Sequence, residues 1–207
     1  MLSYEKELWD KGVDRVAGVD EVGRGCLAGP IVAAAVIWSP KILTWKEKLP
    51  EAHNILSGIK DSKKLTHNQK GSLNEFIKKN ALMYSVVEIS NKMIDKKGIG
   101  EANRLVLRKA LEKLDRIEHA LVDHFKLGDD KFSHTPITRG DAKSLSIASA
   151  SIIAKVYRDK LMGGFTKKYP LYGFENHVGY GTKQHREAIS KYGLSPIHRK
   201  SFKVHTS

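Results

Sequence analysis

The stretch from Pro30 to Trp38, PIVAAAVIW, is apolar from end to end. A strand that is apolar on both faces has to be covered on both, which puts it in the middle of a sheet with helices above and below. Just upstream, RVAGVDEVG (15–23) reads as a strand that ends in a glycine turn. ALMYSVVEIS (81–90) reads as a third strand, and the three together suggest an antiparallel meander.

Helical signals fill the rest of the chain. Residues 39–65 read as a loop with some helix. Thr66 and Gln69 have the spacing of a capping box, which predicts a helix through about Asn80. Ile99, Ala102, Leu105, Val106, Ala110, Leu111 and Leu114 recur at helical spacing over 99–115. HALVDHF (119–125) predicts a short strand, PITRGD (136–141) a last strand, and residues 142–169 a long helix. The small residues Ala148, Ser149, Ala150 and Ser151 would let that helix lie close on the sheet. The remainder is a Gly- and Tyr-rich loop, a short helix and a basic end. The expectation is an α/β fold, with a domain over 1–170 and a C-terminal loop and helical extension over 171–207 packed on it.

Lys and Arg number 36 against 23 Asp and Glu, a formal charge of +13. An excess of this size favours an anionic partner, nucleic acid before others. The single cysteine, Cys26, excludes an internal disulfide framework and a Cys-based zinc cluster. The opening MLSYEKELWD has no secretory pattern, and no apolar run reaches membrane-spanning length. A reduced, cytoplasmic setting is therefore expected. Trp9, Trp38 and Trp45 are read as core or surface aromatics.

Inside this basic chain, four acids fall where strands are expected to end: Asp20, Glu21, Asp123 and Asp141. Converging carboxylates repel unless cations neutralise them. Hard oxygen ligands select Mg²⁺ or Mn²⁺ over zinc. Two such ions roughly 4 Å apart form a clamp suited to cutting a phosphodiester. Taken alone, Asp141 is read first as a cap for the helix that follows it. Asp129 and Asp130 lie in a polar stretch and are read as solvated. Adjacent strand residues point to opposite faces, so Asp20 and Glu21 should not both reach one site unless the backbone bends. Glu21 could also contribute through its carbonyl.

The turn after the first strand holds Gly23, Arg24 and Gly25. Glycines let a backbone turn sharply and approach a ligand closely. Backbone groups exposed in this way can hydrogen-bond a ribose 2′-hydroxyl, which separates RNA from DNA, and an arginine offers a forked cation to phosphate. The alternative is a tight strand connection with a solvated arginine. Histidines at 177, 185, 198 and 205 are candidates for a zinc site, but the tail has no HxxxH pair, and isolated histidines are read as surface or packing residues.

DEVGRGCLAGP (20–30) resembles the signature of the prokaryotic ribonuclease HII family, the type 2 ribonucleases H. The likeness continues in DSKKL (61–65), LVD (121–123), GDAKSLSIASASIIAKVYRD (140–159), YGFENHVGYGTKQH (172–185) and HRKSF (198–202). The resemblance implies a ribonuclease H-like fold with a mixed sheet of about five strands. It implies cleavage of RNA in RNA–DNA hybrids and incision at single ribonucleotides in duplex DNA, leaving 3′-hydroxyl and 5′-phosphate ends. Asp20, Glu21, Asp123 and Asp141 would hold two divalent ions, Mg²⁺ or Mn²⁺, with Asp20 shared between them. Gly23, Arg24 and Gly25 would read the 2′-hydroxyl, and Tyr180 would stack on the sugar at the RNA-to-DNA junction. Ser62 and Lys63 would lie near the nucleic-acid backbone, and Lys155 would add a phosphate contact. A monomer is expected. The chain departs from the familiar pattern at His124, where glycine is usual, at Val178, where lysine is expected, and at Arg139, where lysine is common.

Overall fold

The apolar run folds as strand β2 (Ile31–Ile37), and all seven of its residues are buried. It lies antiparallel to β1 (Val16–Val22), with Asp20 opposite Ala34 and Glu21 opposite Ala33. On its other side it pairs antiparallel with β3 (Met83–Ile89). β4 (His119–Asp123) and β5 (His134–Ile137) extend the sheet in parallel, giving the order β3-β2-β1-β4-β5. The five-stranded mixed sheet and its antiparallel meander match the sequence expectation. This computed structural model describes residues 1–45, 58–59, 65–128 and 131–204. Ser62, Lys63, Asp129 and Asp130 lie outside the described residues.

The helices are α1 (Ser3–Trp9), α2 (His67–Asn80), α3 (Asn91–Lys97), α4 (Ile99–Glu112), α5 (Leu145–Lys168), α6 (Phe174–His177) and α7 (Lys183–Tyr192). Thr66 caps α2 in a capping box with Gln69, as the spacing predicts. The sheet separates two cores. Ala17 and Val19 of β1 join Ala33 and Ala35 of β2 against Ala102, Val106, Leu107 and Ala110 of α4. Val16 of β1 and Val32, Ala34 and Val36 of β2 face Ile147, Ala148 and Ile153 of α5. Along β1, even positions therefore look to α5 and odd positions to α4. Gly18 makes the first of these contacts possible, because a Cβ there would overlap the backbone of Ser146 and Ile147.

The small residues of α5 do lie close on the sheet. Ser149 accepts a hydrogen bond from the Trp38 indole at 3.0 Å, and both side chains are fully buried. Trp9 is buried too, and Trp45 meets Trp38 edge to face. A third core joins Met162 of α5 to Tyr172, Phe174, Ile189 and Ile197, which fastens the C-terminal segment to the sheet domain.

Three expectations shift. The last strand ends at Ile137 rather than continuing to Asp141, because Arg139 turns the chain with φ 58°. Asp141 sits in a 3-10 turn (Gly140–Ala142), and the cap of α5 is Ser144, whose hydroxyl accepts from the Ile147 N–H at 3.2 Å. Three short helices, α1, α3 and α6, have no counterpart in the sequence reading. α1 is held by buried Glu5, which accepts from the Ser144 hydroxyl at 2.6 Å and the Ser146 N–H at 2.9 Å.

Candidate active site

Asp20 and Glu21 are the neighbouring acids of β1, one on each face of the sheet. Asp20 is 6% exposed, looks toward Ser151 on α5, and accepts the Glu21 N–H at 2.7 Å. Glu21 looks toward the buried Asn103 on α4. β1 and β4 run in register up to Val19 opposite Val122, so the next residue of each strand brings Asp20 beside Asp123. Asp123 is the last residue of β4, and its charge acts on both β1 carboxylates. Opposite faces thus do not separate the three acids, because all lie where the strands stop.

The electrostatics record this crowding. Burial raises the Asp20 carboxyl well above its usual range, and the charges of Glu21 and Asp123 raise it further. Burial and then Asp123 push Glu21 up to about 7, against the pull of Arg24 and Asn103. Glu21 Oε2 is buried without a hydrogen-bond partner, and neither polar atom of the Asn103 amide completes one. Asp123 Oδ1 accepts the Gly140 N–H at 2.6 Å, which ties the turn carrying Asp141 to the end of β4.

Among the described residues, no group of three or more His, Cys, Asp or Glu side chains stands gathered as a finished metal cage. The donors nevertheless suit a hard cation. They are all carboxylate oxygens, their charged forms are destabilised by one another, and one oxygen is left buried and unbonded. Asp20, Glu21 and Asp123 form the coupled group, and Asp141 is carried next to it.

The turn beyond β1 is built unevenly. Gly23 has φ 87° and is buried, and a Cβ there would overlap the Arg158 guanidinium. Gly25 has no left-handed φ, is exposed, and has open space where a Cβ would stand. The conformational freedom expected of both glycines is thus used by Gly23 alone. Arg24 is exposed and lies 4.8 Å above the Phe125 ring centroid. Tyr180 approaches from the C-terminal segment, 41% exposed, with its hydroxyl beside the buried Cys26 thiol. Burial first and then Cys26 raise its pKa. Lys155, expected at a phosphate, is bonded to Asp159 at 2.7 Å along α5.

His177, His185 and His198 do meet, and they close the zinc alternative for these three. His177 stacks on His185 with centroids 4.2 Å apart, and His185 Nε2 lies 3.0 Å from His198 Nε2. His185 Nδ1 donates to the Tyr180 carbonyl at 2.9 Å, so its Nε2 accepts from His198, whose Nδ1 accepts the Ser195 N–H at 2.8 Å. His177 donates to the Tyr172 carbonyl and accepts from the Gly179 N–H. All six ring nitrogens are used by neutral imidazoles, and no lone pair is left for a metal.

Sequence reasoning missed Asn103, Ser151, Arg158 and Arg199. Asn103 left one signal, as a polar residue on the apolar stripe of its helix. The arginines stand inside the blocks 140–159 and 198–202, but nothing in those blocks tells a buried guanidinium from a solvated one.

The strand order, with acids at the ends of the adjacent parallel strands β1 and β4, defines a ribonuclease H-like protein. The family model for ribonuclease HII matches residues 17–205, and the chain belongs to that family. It is 45% identical to ribonuclease HII of Oceanobacillus iheyensis over 203 residues, which cover 98% of this chain and 73% of the relative. Ribonuclease HII of Acholeplasma laidlawii is 46% identical over 97% of this chain and 93% of its own length. Among solved structures, ribonuclease H2 of Pyrococcus horikoshii superposes with a TM-score of 0.73 at 27% identity, covering 91% of this chain and 94% of that one.

Proposed function

We propose that this chain is an endonuclease that hydrolyses the RNA strand of RNA–DNA hybrids and incises duplex DNA 5′ to a single embedded ribonucleotide. Its products carry 3′-hydroxyl and 5′-phosphate ends. The observation that carries this reading is the set of mutually repelling carboxylates, with Asp20 buried, beside a glycine turn whose Arg24 and Gly25 are exposed.

Asp20, Glu21, Asp123 and Asp141 would hold two divalent ions, Mg²⁺ or Mn²⁺, with Asp20 shared. When bound, such ions supply charge neutralisation at the phosphate and activation of water. The protein's part is positional. The open face of Gly25 admits a sugar edge to the backbone, and Gly23 and Arg24 complete the turn that reads the 2′-hydroxyl. Arg24 offers its exposed guanidinium to phosphate. Tyr180 stacks on the sugar of the deoxynucleotide side, which fixes where the cut falls. Water adds to phosphorus in line as the bond to the 3′ oxygen breaks. Ser62 and Lys63 would line the nucleic-acid backbone. Residues 171–207 would then serve as an extension of one catalytic unit, working as a monomer in the cytoplasm, where Cys26 stays reduced.

The test is cleavage of a duplex with one ribonucleotide, with Mg²⁺ or Mn²⁺ and with EDTA, beside an all-DNA duplex. The expected result is a single metal-dependent cut 5′ to the ribonucleotide, lost in Asp20→Asn, with the all-DNA duplex intact. Cleavage that survives EDTA, or equal cutting of both duplexes, would overturn the reading.

A further inference from the structure

Two arginines are fully buried in the third core, Arg158 at 0% and Arg199 at 1% exposure. Every hydrogen bond their guanidiniums make goes to a main-chain carbonyl. Arg199 donates to Gly23 at 2.6 Å, Arg24 at 2.7 Å and Gly29 at 3.0 Å. Arg158 donates to Ala28 and Pro30 at 3.0 Å and to Val178 at 2.8 Å. Among the described residues no carboxylate hydrogen-bonds either guanidinium, although Asp95 acts on Arg199 from a distance, and burying two cations in this way is costly.

What the six bonds hold is informative. Arg199 takes two carbonyls of the exposed turn itself. Arg158 joins the following residues to Val178, two positions before Tyr180. Val178 is β-branched with φ 42°, a conformation kept only where its surroundings impose it. The backbones are laced together as well: Leu27 N–H donates to the Gly179 carbonyl at 2.8 Å, and Arg199 N–H to the Leu27 carbonyl at 2.8 Å. Gly23 leaves the space that the Arg158 guanidinium fills, and Gly29 leaves space for Met162 beside it. Burial lowers the Arg199 pKa to about 10, so the fork stays charged at neutral pH.

We propose that Arg199 and Arg158 are positioning residues for sugar recognition, setting the pose of Gly23–Gly25 and holding it at a fixed distance from Tyr180. Neither touches the substrate. The inference rests on the nuclease reading above and adds the residues that make two separate segments act as one reader. The planar fork is what matters, since a lysine keeps the charge but offers one nitrogen where three separate nitrogens each hold a different carbonyl.

The experiment compares Arg199→Lys and Arg158→Lys with the parent, and with Leu111→Ala as a destabilised control remote from the turn. All are assayed well below their melting temperatures on a duplex with one ribonucleotide. The arginine variants should lose kcat on the order of 10²-fold and spread their cuts to neighbouring phosphates, with the half-saturating Mn²⁺ concentration unchanged. The control should keep the parent's kcat and cut position. The proposal is overturned if a folded lysine variant cuts within twofold of the parent at the same phosphate. It is overturned equally if both variants are unfolded at every temperature, since the arginines then hold the fold itself. Failure of the nuclease reading would look different: the parent itself would ignore the ribonucleotide.

Discussion

Gly140 gives its N–H to the Asp123 carboxylate at 2.6 Å, so the turn that carries Asp141 is fastened to the acid that ends β4. One bond joins two of the acids proposed to work together. It also separates the charge of Asp123 from its geometry. Asn at this position keeps an oxygen for the Gly140 N–H and removes the charge that burdens Asp20 and Glu21. Asp123→Asn should therefore melt no lower than the parent in EDTA, by circular dichroism, while its cleavage falls roughly 10²-fold or more. A variant that unfolds, or one that cuts at the parent's rate, contradicts this division of roles.

The two glycines of the turn should separate in the same way. Gly23 is left-handed and abuts Arg158, so Gly23→Ala should cost about 1–3 kcal/mol of stability along with activity. Gly25 has ordinary φ and open space above it, so Gly25→Ala should leave the denaturation midpoint within about 0.5 kcal/mol of the parent. Its added methyl would occupy the place of the sugar, and cleavage at a single ribonucleotide should fall sharply. Urea titrations beside activity assays read both effects. Equal stability losses in the two variants would mean that Gly25 serves the fold alone.

These differences mark what the chain discloses and what it keeps back. The apolar run 30–38, the Thr66–Gln69 cap and the stripe over 99–115 were legible because periodicity reports burial directly. The acids at strand ends were legible as types, and their meeting followed from the parallel register of β1 and β4. The end of β5 was not, since the reversal at Arg139 uses a non-glycine residue with φ 58°, whereas His124, standing where glycine is usual, takes φ 60° just after β4. Arg158 and Arg199 drew no reading of their own within the blocks 140–159 and 198–202, because sequence cannot separate a buried guanidinium bonded to carbonyls from a solvated one. The histidine cluster joins residues 8 and 13 positions apart across three elements, a tertiary fact that spacing does not encode.

Tyr180 has two separable parts. Its ring is exposed, and its hydroxyl lies beside the Cys26 thiol. Tyr180→Phe and Cys26→Ala each remove that contact and keep the ring, and should cost less than about tenfold in kcat/KM. Tyr180→Ala removes the stacking face, and should cost roughly 1–3 kcal/mol of transition-state binding at the junction. Kinetics on a single-ribonucleotide duplex would show this order. Equal losses in all three would place the function in the hydroxyl.

The response to pH should come from two opposed sets of groups, the buried acids Asp20 and Glu21 against the histidines His185 and His198. Glu21 has its pKa raised from 4.5 to about 7 by burial and by Asp123. In EDTA the folded state then holds a proton that the unfolded state has lost, so this group removes stability as pH rises from 4.5 to 7, by at most about 3 kcal/mol. His185 and His198 run the other way. Burial lowers both from 6.5 to about 4, so the unfolded state takes up protons first, and the stability they contribute above pH 6.5 is lost as pH falls toward 4. In the parent the two slopes partly cancel. Glu21→Gln removes its share of the first slope and relieves Asp20 of one repelling charge, and should leave a protein more stable than the parent at pH 7.5 in EDTA but falling more steeply below pH 6.5. Adding His185→Asn should flatten that fall, because one of the two imidazoles no longer titrates. Urea denaturation at pH 7.5, 6 and 5 measures all three proteins. If Glu21→Gln follows the parent's curve at every pH, the repulsion among the carboxylates is not what the free protein carries, and the case for a cation among them weakens with it.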